Sequence, residues 1–283
     1  MNNYKKMKIS IQGYEGSFHQ MVAGRYFGED IELIMCPTFR EVTGSVEKGI
    51  ADAGVMAIEN SIAGSILPNY SLLQNSSLSI TGEVFLSIKQ NLMGVKGAKL
   101  SDIKEIESHP MAILQCVDYI ETKMQKVRIV ESEDTGLSAK HVAEKGDKSV
   151  AAIASALAAE MFGLEILAHD INTVKSNYTR FLIIEKSDKV IPEPKADKAS
   201  LYFKVPHSKG ALVDALHAFD ARNMNMSKLQ SYPIPTDPFR YLFHVDVEFD
   251  NIETFRGCVH ELKKHTEDFC ICGIYKQGEL IYK

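Results

Sequence analysis

The sequence predicts an α/β protein of two domains, the first of which has two lobes around a central cleft. Three observations lead to this prediction. The chain has 283 residues, enough for more than one domain with a sizeable core. Apolar strand patterns alternate with helical patterns over residues 7–185, as in parallel sheets covered by helices. The rhythm changes to βαββαβ after residues 186–198, a charged segment with two prolines that we interpret as a linker.

Residues 7–85 form the larger part of the first predicted lobe. Strands are predicted at Lys8–Gln12, Ile31–Cys36, Ala53–Ile58 and Ser79–Ile88, and helices at Ser17–Tyr26, Thr38–Lys48 and Ser65–Gln74. Thr38 and Glu41 have the spacing of a capping box, which indicates a helix start. The strand after residue 53 is apolar at almost every position, which indicates burial on both faces.

Residues 90–170 repeat the alternation and form the second predicted lobe. Strands are predicted at Ile106–Ser108, Val127–Glu131, Val150–Ile153 and Ile166–His169, and helices at Pro110–Lys123, Asp134–Glu144 and Ser155–Phe162. A last strand over 179–185 is expected to return to the first lobe, which then comprises 7–85 and 175–185. This arrangement leaves a cleft between the lobes, a common place for a small-molecule site.

Residues 199–283 form the second predicted domain. Its strands are predicted at Ser200–Val205, Met226–Tyr232, Arg240–Phe249 and Phe269–Tyr275, and its helices at Gly210–Ala221 and Glu253–His265. The resulting βαββαβ order is ferredoxin-like.

The composition is that of an ordinary globular protein, with 45% hydrophobic and 24% charged residues. The net charge of −5 creates no general attraction for nucleic acid, so an anionic substrate would need local positive partners. No run approaches the roughly 18 apolar residues that a membrane span needs. Five cysteines, and no apolar leader within Met1–Lys8, indicate reduced thiols and a cytoplasmic location.

Two side-chain pairs have spacings near those of metal ligands, and we discount both. His260 and His265 are five positions apart, a rotation of roughly 500° on a helix, so they do not share a face. Cys270 and Cys272 lie on one strand face, but no second pair completes a zinc site. No metal site is predicted.

The segment Asn177–Phe181 places polar side chains ahead of an apolar strand. Asn177, Thr179 and Arg180 come just before or at the start of the apolar run Phe181–Ile184. A buried strand has no need of polar residues at its start, whereas a site for an anionic substrate does.

Three further junctions carry polar side chains where a predicted strand meets a helix or loop. They are Gly13–Phe18, in which Ser17 is a natural N-cap, Glu59–Asn60–Ser61 after an apolar strand, and Ser108–His109–Pro110 followed by Gln115. Open α/β sheets bind ligands at such strand ends. An ordinary turn also explains the glycine loop. A structural role also explains His109, although an imidazole pKa near ~6.5 leaves acid/base chemistry open.

Taken together, these segments resemble the motifs of the prephenate dehydratase family, in order and at the expected spacing over residues 8–185. The matching strings are Gly13-x-x-Gly16-Ser17-Phe18, Ile58-Glu59-Asn60-Ser61, Ser108-His109-Pro110 with Gln115-Cys116, Asp134-Thr135, and Asn177-x-Thr179-Arg180-Phe181. Ala57 stands where proline is usual in the second string.

The resemblance implies a periplasmic-binding-protein-like catalytic domain over residues 7–185. Its reaction would convert prephenate to phenylpyruvate, water and CO2 without a metal or organic cofactor, and Thr179 would be the catalytic residue. Candidate substrate-binding residues are Ser17, Glu59, Asn60, Ser61, Gln115, Thr135, Asn177 and Arg180. Strand alternation points Thr179 and Arg180 to opposite faces, so Arg180 either reaches the substrate through an irregular backbone or serves as a structural ion-pair partner.

The C-terminal domain, residues 199–283, resembles an ACT domain, an amino-acid-sensing module. Gly210-Ala211-Leu212 matches the G-A-L motif of these domains. Leu229–Pro233 takes the place of their E-S-R-P motif, with Gln230 and Tyr232 replacing its glutamate and arginine. The resemblance implies phenylalanine as effector and a homodimer or homotetramer formed through these domains. The implied effector-binding residues are Gly210, Ala211, Leu212, Leu229, Gln230 and Ser231.

Two alternatives stay open at this point. The same chemistry on arogenate, which carries an amino group where prephenate has a keto group, would give phenylalanine directly. A non-catalytic two-lobed protein that senses an amino acid is the alternative of another class, because a fold does not imply a function. The intact Thr179-Arg180-Phe181 string and the Glu59–Ser61 cluster argue against it.

Overall fold

A computed structural model describes residues 6–189, 195–234, 237 and 239–281. Its contacts divide the chain into two compact units. The first contains the residues up to 72, then 84–182 and the C-terminal residues from 280, and the second contains 73–83 and 183–279. None of the described helices combines the length and the apolar character that a membrane span requires.

The described strands and helices are numbered in chain order. The strands are β1 (Met7–Gln12), β2 (Ile31–Cys36), β3 (Ala53–Asn60), β4 (Gly64–Ser65), β5 (Leu78–Ser87), β6 (Asn91–Gly94), β7 (Glu105–Ser108), β8 (Arg128–Glu131), β9 (Val150–Ala154), β10 (Glu165–Ala168), β11 (Tyr178–Lys186), β12 (Lys198–Lys204), β13 (Asn225–Pro233), β14 (Tyr241–Glu248), β15 (Glu267–Tyr275) and β16 (Leu280–Ile281). The helices are α1 (Phe18–Phe27), α2 (Phe39–Glu47), α3 (Leu67–Gln74), α4 (Pro110–Gln115), α5 (Val117–Lys123), α6 (Thr135–Lys145), α7 (Ala156–Phe162), α8 (Ala211–Asp220) and α9 (Ile252–His265).

The first unit contains a sheet of order β16-β5-β11-β3-β1-β2, with β4 paired to β3. β1 runs parallel to both β2 and β3, as the sequence predicts. Ile9 and Ile11, at alternate positions of β1, are fully buried. Residues 53–58 of β3 are buried at six consecutive positions, which explains why that strand has a continuous apolar run. β5 and β11 each contribute residues to both units.

The same unit contains a second sheet, of order β10-β6-β9-β7-β8. β7 pairs in parallel with β8 and β9, but β6 is antiparallel to both of its neighbours. The sequence patterns did not predict β6, and the sheet is therefore mixed rather than wholly parallel. The helix predicted at 110–123 is two helices, because the backbone of Cys116, at φ −115° and ψ 16°, leaves the helical region.

The second unit contains an antiparallel sheet of order β13-β14-β12-β15. Together with α8 and α9 it has the predicted βαββαβ order. Leu201, Phe203 and Val245 form a buried core with Phe219 of α8 and Phe255 of α9.

The predicted linker, 186–198, needs a correction at its C-terminal end. Lys198 is the first residue of β12 and is only 2% exposed, so it belongs to the sheet. A short 3-10 turn occupies Ser187–Lys189, and residues 190–194 of the predicted linker lie outside the described residues.

Candidate active site

A cavity of about 370 Å³ lies within the first unit. Residues that follow strands of the first sheet, residues at the starts of α1, α4 and α6, and the start of β11 surround it. Its wall consists of Gln12, Ser17, Phe18, His19, Phe39, Ala57, Asn60, Ala63, Ile66, Ile88, Gln90, His109, Met111, Ala112, Gln115, Glu133, Asp134, Thr135, Thr179 and Phe181. Most of the exposed surface of the wall is apolar. No lysine or arginine is among these described lining residues.

Thr179 stands at the start of β11 with 9% of its surface exposed, and it lines the cavity. Its Oγ1 accepts a hydrogen bond of 2.9 Å from Nδ2 of Asn60. The orientation of the Asn60 amide is fixed, because its Oδ1 accepts from the backbone N–H groups of Ile62 and Ala63 at 3.0 and 2.9 Å. Since the Thr179 oxygen serves as an acceptor for Asn60, its own O–H is left to donate to a group in the cavity.

Asn177 and Ser61 do not line the cavity but stabilise the positions of Asn60 and of the start of β11. Asn177 is fully buried, and its Oδ1 accepts from Asn60 Nδ2 at 2.7 Å. Ser61 Oγ accepts from the backbone N–H of Tyr178 at 2.9 Å, so it ties its loop to the start of β11. Both were predicted as substrate-binding residues, and the structure places both outside the cavity wall.

Arg180 and Glu59 are also placed outside the wall. Arg180 is 5% exposed, and its guanidinium lies 5.8 Å from the centroid of the Phe85 ring. The β11 backbone keeps its regular alternation, with Thr179 and Phe181 facing the cavity and Arg180 on the other face. Glu59 pairs with Ser65 in the β3–β4 ladder. Of the two roles expected for Arg180, this placement favours the structural one over direct contact with the substrate.

Ser17, Thr135 and Gln115, three of the predicted substrate-binding residues, line the cavity. Ser17 caps α1 and accepts from the backbone N–H of Gln20 at 3.3 Å. Thr135 is the first residue of α6, and Gln115 is the last residue of α4. The positive ends of α1 and α6 therefore meet the cavity, which offers a partial positive charge without a cationic side chain.

Gln90 and His19 line the cavity although neither was predicted to do so. Gln90 follows β5 and is 3% exposed, and its Nε2 donates to Oε1 of Gln115 at 3.3 Å. The His19 ring meets the ring of Phe181 edge-on at 5.0 Å and lies 5.4 Å from that of Phe39. Neither residue belongs to a motif that the sequence analysis singled out. The one sequence signal for Gln90 is that a polar residue stands where the chain passes between the two predicted lobes, and His19 has no such signal.

Burial lowers the pKa of His19 to about 3, so its imidazole is neutral at physiological pH. Its Nε2 is buried and has no hydrogen-bond partner among the described residues. Desolvation also raises the pKa of Asp134, although its bonds from the backbone of Leu137 and Gly136 and the nearby His109 oppose the shift.

The low pKa of His19 predicts acid-sensitive stability. The unfolded chain takes up a proton near pH 6.5 and the folded chain near pH 3, so the His19 contribution is present above pH 6.5 and is lost as pH falls toward 3. We expect wild type to lose about 2 kcal/mol more than His19→Phe between pH 7 and pH 5. Urea unfolding of both proteins at the two pH values measures this difference. Equal losses would contradict a buried neutral imidazole.

Comparisons with known proteins show the family of this chain. The sequence model of the prephenate dehydratase family matches residues 9–189. The chloroplastic arogenate dehydratase/prephenate dehydratase 1 of Arabidopsis thaliana is 35% identical over 263 residues, which cover 88% of this chain and 66% of that protein. This chain thus spans about two thirds of the length of the plant relatives it matches.

Two solved structures resemble the whole fold. A prephenate dehydratase from Arthrobacter aurescens, solved in complex with L-Phe, has a TM-score of 0.85 and 26% identity, covering 95% of this chain and 90% of that one. GqqA, described as a novel type of quorum quenching acylase, has a TM-score of 0.85 and 32% identity, covering 95% of this chain and 98% of that one. The family match includes every motif at the cavity, from the glycine loop before α1 to Thr179, and this chain belongs to the prephenate dehydratase family.

Proposed function

We propose that the cavity catalyses the decarboxylative dehydration of prephenate to phenylpyruvate, in phenylalanine synthesis. The C–C bond to the ring carboxylate breaks and CO2 leaves. The released electron pair forms a ring double bond, the C–O bond at C4 breaks, and the departing hydroxyl takes up a proton to become water. The observation that carries the proposal is the Thr179 hydroxyl, which accepts a hydrogen bond from Asn60 at the wall of the cavity and so has its own O–H left to donate.

Thr179 is proposed as the catalytic residue that donates a hydrogen bond to the leaving hydroxyl. A threonine hydroxyl is a far weaker acid than a carboxylic acid, so it stabilises the departing oxygen or relays a proton from water rather than serving as a strong acid. Within this family assignment, Asn60 and Asn177 are positioning residues, because they orient the Thr179 oxygen.

The lack of cationic side chains on the described wall suits the first bond cleavage. A carboxylate held tightly by arginine or lysine would be stabilised in the ground state, which would slow its loss as CO2. The ends of α1 and α6 supply weaker partial charges that can orient a substrate anion without holding it in this way. Ser17, Thr135 and Gln115 are the proposed hydrogen-bonding partners of the substrate.

An acylase activity like that described for GqqA is less well supported by this cavity. Acyl transfer by a hydroxyl nucleophile needs a base within hydrogen-bond distance of that hydroxyl. The cavity wall carries three described hydroxyl residues, Ser17, Thr135 and Thr179. Ser17 accepts from Gln20 and Thr179 accepts from Asn60. None of the three hydroxyls makes a described hydrogen bond to His19 or His109.

The test is an assay of the purified protein with prephenate, in which phenylpyruvate and CO2 should form in equal amounts. Arogenate in parallel tests the same chemistry on the amino substrate. A protein that turns over neither substrate would overturn the proposal and favour a non-catalytic sensor.

We further propose that residues 199–283 are an ACT regulatory domain that binds phenylalanine, following the catalytic domain 7–185. The βαββαβ order and its strand order support this. Gly210, at φ +84°, caps α8, and with Ala211 and Leu212 it lines a cavity of about 240 Å³. The other candidates, Leu229, Gln230 and Ser231, lie on the edge strand β13 and outside that cavity. A homodimer or homotetramer formed through these domains would bring an edge strand of a second copy beside this cavity.

A cytoplasmic location is also proposed, because the five cysteines are free thiols.

Phenylalanine should bind to this protein and lower its turnover of substrate. Gly210→Val is expected to weaken phenylalanine binding about tenfold or more, because a β-branched residue at a positive φ distorts the start of α8, while turnover without phenylalanine stays near wild type. Calorimetry and kinetics with and without phenylalanine measure both effects. No binding and no inhibition in the wild type would count against the regulatory assignment.

A further inference from the structure

The charges on the wall of the active-site cavity are unusual for a dianionic substrate. Its charged or titratable lining residues, among those described, are Glu133, Asp134, His19 and His109. Two are carboxylic acids, and His19 is neutral. Prephenate carries two carboxylates, whereas arogenate has an additional ammonium in place of the keto group. The protein groups around the keto group of prephenate, or the ammonium of arogenate, therefore decide between the two substrates.

Asp134 uses only one of its carboxylate oxygens to cap α6. Oδ1 accepts from the backbone N–H of Gly136 at 2.7 Å and of Leu137 at 3.1 Å. Oδ2 accepts no hydrogen bond from any described residue. It lies 2.7 Å from the point that a Cβ on residue 13 would occupy, so Gly13 leaves the space in which this oxygen stands. The carboxylate thus keeps an unused acceptor at the cavity wall.

Gln90 provides a second and independent unused acceptor. The side chain is 3% exposed, lines the same cavity, and donates through Nε2 to Gln115. Its Oε1 is buried without a hydrogen-bond partner among the described residues. A buried carbonyl without a partner is uncommon, and it points to a donor that arrives with the ligand.

An ammonium group supplies what both acceptors lack. It carries three N–H donors and a positive charge, whereas a keto oxygen donates nothing and cannot satisfy a carboxylate or an amide oxygen. Glu133 is the weaker candidate for this role, because it is exposed to solvent and lies near the hydroxyl of Tyr14. Asp134 is half-buried, so its charge is less screened.

We infer that the cavity selects a substrate that bears an ammonium, and that Asp134 is the specificity-determining residue that selects it. This inference rests on the proposed dehydratase function and refines it: prephenate is turned over, and arogenate is turned over with the higher kcat/KM. Gln90 offers its unused carbonyl oxygen as a second acceptor on the wall of the same cavity.

The test is the ratio of kcat/KM for arogenate to kcat/KM for prephenate, in wild type, Asp134→Ser and Asp134→Asn. Both replacements are good N-cap residues, so α6 keeps its cap and the two variants check each other's folding. Glu131→Gln is the matched control, because it removes a nearby exposed charge that is not on the cavity wall.

We expect arogenate to be favoured by about tenfold or more in wild type and in Glu131→Gln. In both Asp134 variants, kcat/KM for arogenate should fall about tenfold or more, while that for prephenate stays level or rises. A wild type that favours prephenate, or Asp134 variants that lose both activities equally, would overturn the selection but leave the dehydratase function standing. A wild type inactive on both substrates would overturn both.

Discussion

Thr179→Val is expected to remove measurable turnover, a loss of at least about 10²- to 10³-fold in kcat, because the substitution deletes the proposed donor to the leaving hydroxyl. Valine has nearly the shape of threonine, so the cavity keeps its volume. Asn60 loses one acceptor but keeps Asn177 Oδ1 at 2.7 Å and the carbonyl of Tyr178 at 3.1 Å. The cost in stability should therefore stay near about 1 kcal/mol.

Thr179→Ser keeps the hydroxyl and should retain partial activity, because loss of the methyl group frees the side chain to rotate away from Asn60. Thr122→Val is the matched control: Thr122 is exposed on α5 and bonds only within its own helix, so its loss should leave kcat unchanged. Steady-state kinetics and urea unfolding of the three variants separate a chemical role from a folding defect. Full activity in Thr179→Val would show that another group assists the leaving hydroxyl.

Local patterns predicted most helices and strands because burial and capping are encoded locally. Ser17, Thr38 and Asp134 all cap helices by accepting backbone N–H groups, as their positions predict. β6, at Asn91–Gly94, was not predicted, and it forms by pairing with β9 and β10, which are far along the chain. A strand made by distant pairing has no local signature of its own.

The cavity residues were predicted where they stand at the ends of strands or the starts of helices, as Asn60, Thr135 and Thr179 do. The motifs did not show which polar residues face the ligand and which face each other. Asn177 and Ser61 bond to protein partners instead of lining the cavity. Their partners are more than a hundred residues away along the chain, so local sequence patterns do not reveal these bonds. Motif membership therefore predicts the neighbourhood of a residue better than the direction of its side chain.

The largest expected effect on stability concerns Lys198 and Glu83, both in the second unit. Their side chains are 2% and 0% exposed, and Lys198 Nζ lies 2.9 Å from Glu83 Oε1. The backbone N–H of Gly278 donates to the same oxygen at 3.2 Å. Lys198→Met removes the ammonium of this buried ion pair, so we expect a loss of about 3–5 kcal/mol in the free energy of unfolding.

A second substitution tests the reason for this loss. Glu83→Gln added to Lys198→Met removes the buried carboxylate charge and keeps an oxygen for Gly278, so most of the lost stability should return. Lys204→Met breaks the more exposed pair with Asp268 and should cost less than about 1 kcal/mol, which makes it the matched control. Urea unfolding of the four proteins completes the comparison. If Lys198→Met cost no more than Lys204→Met, the buried pair would be no stronger than an exposed one.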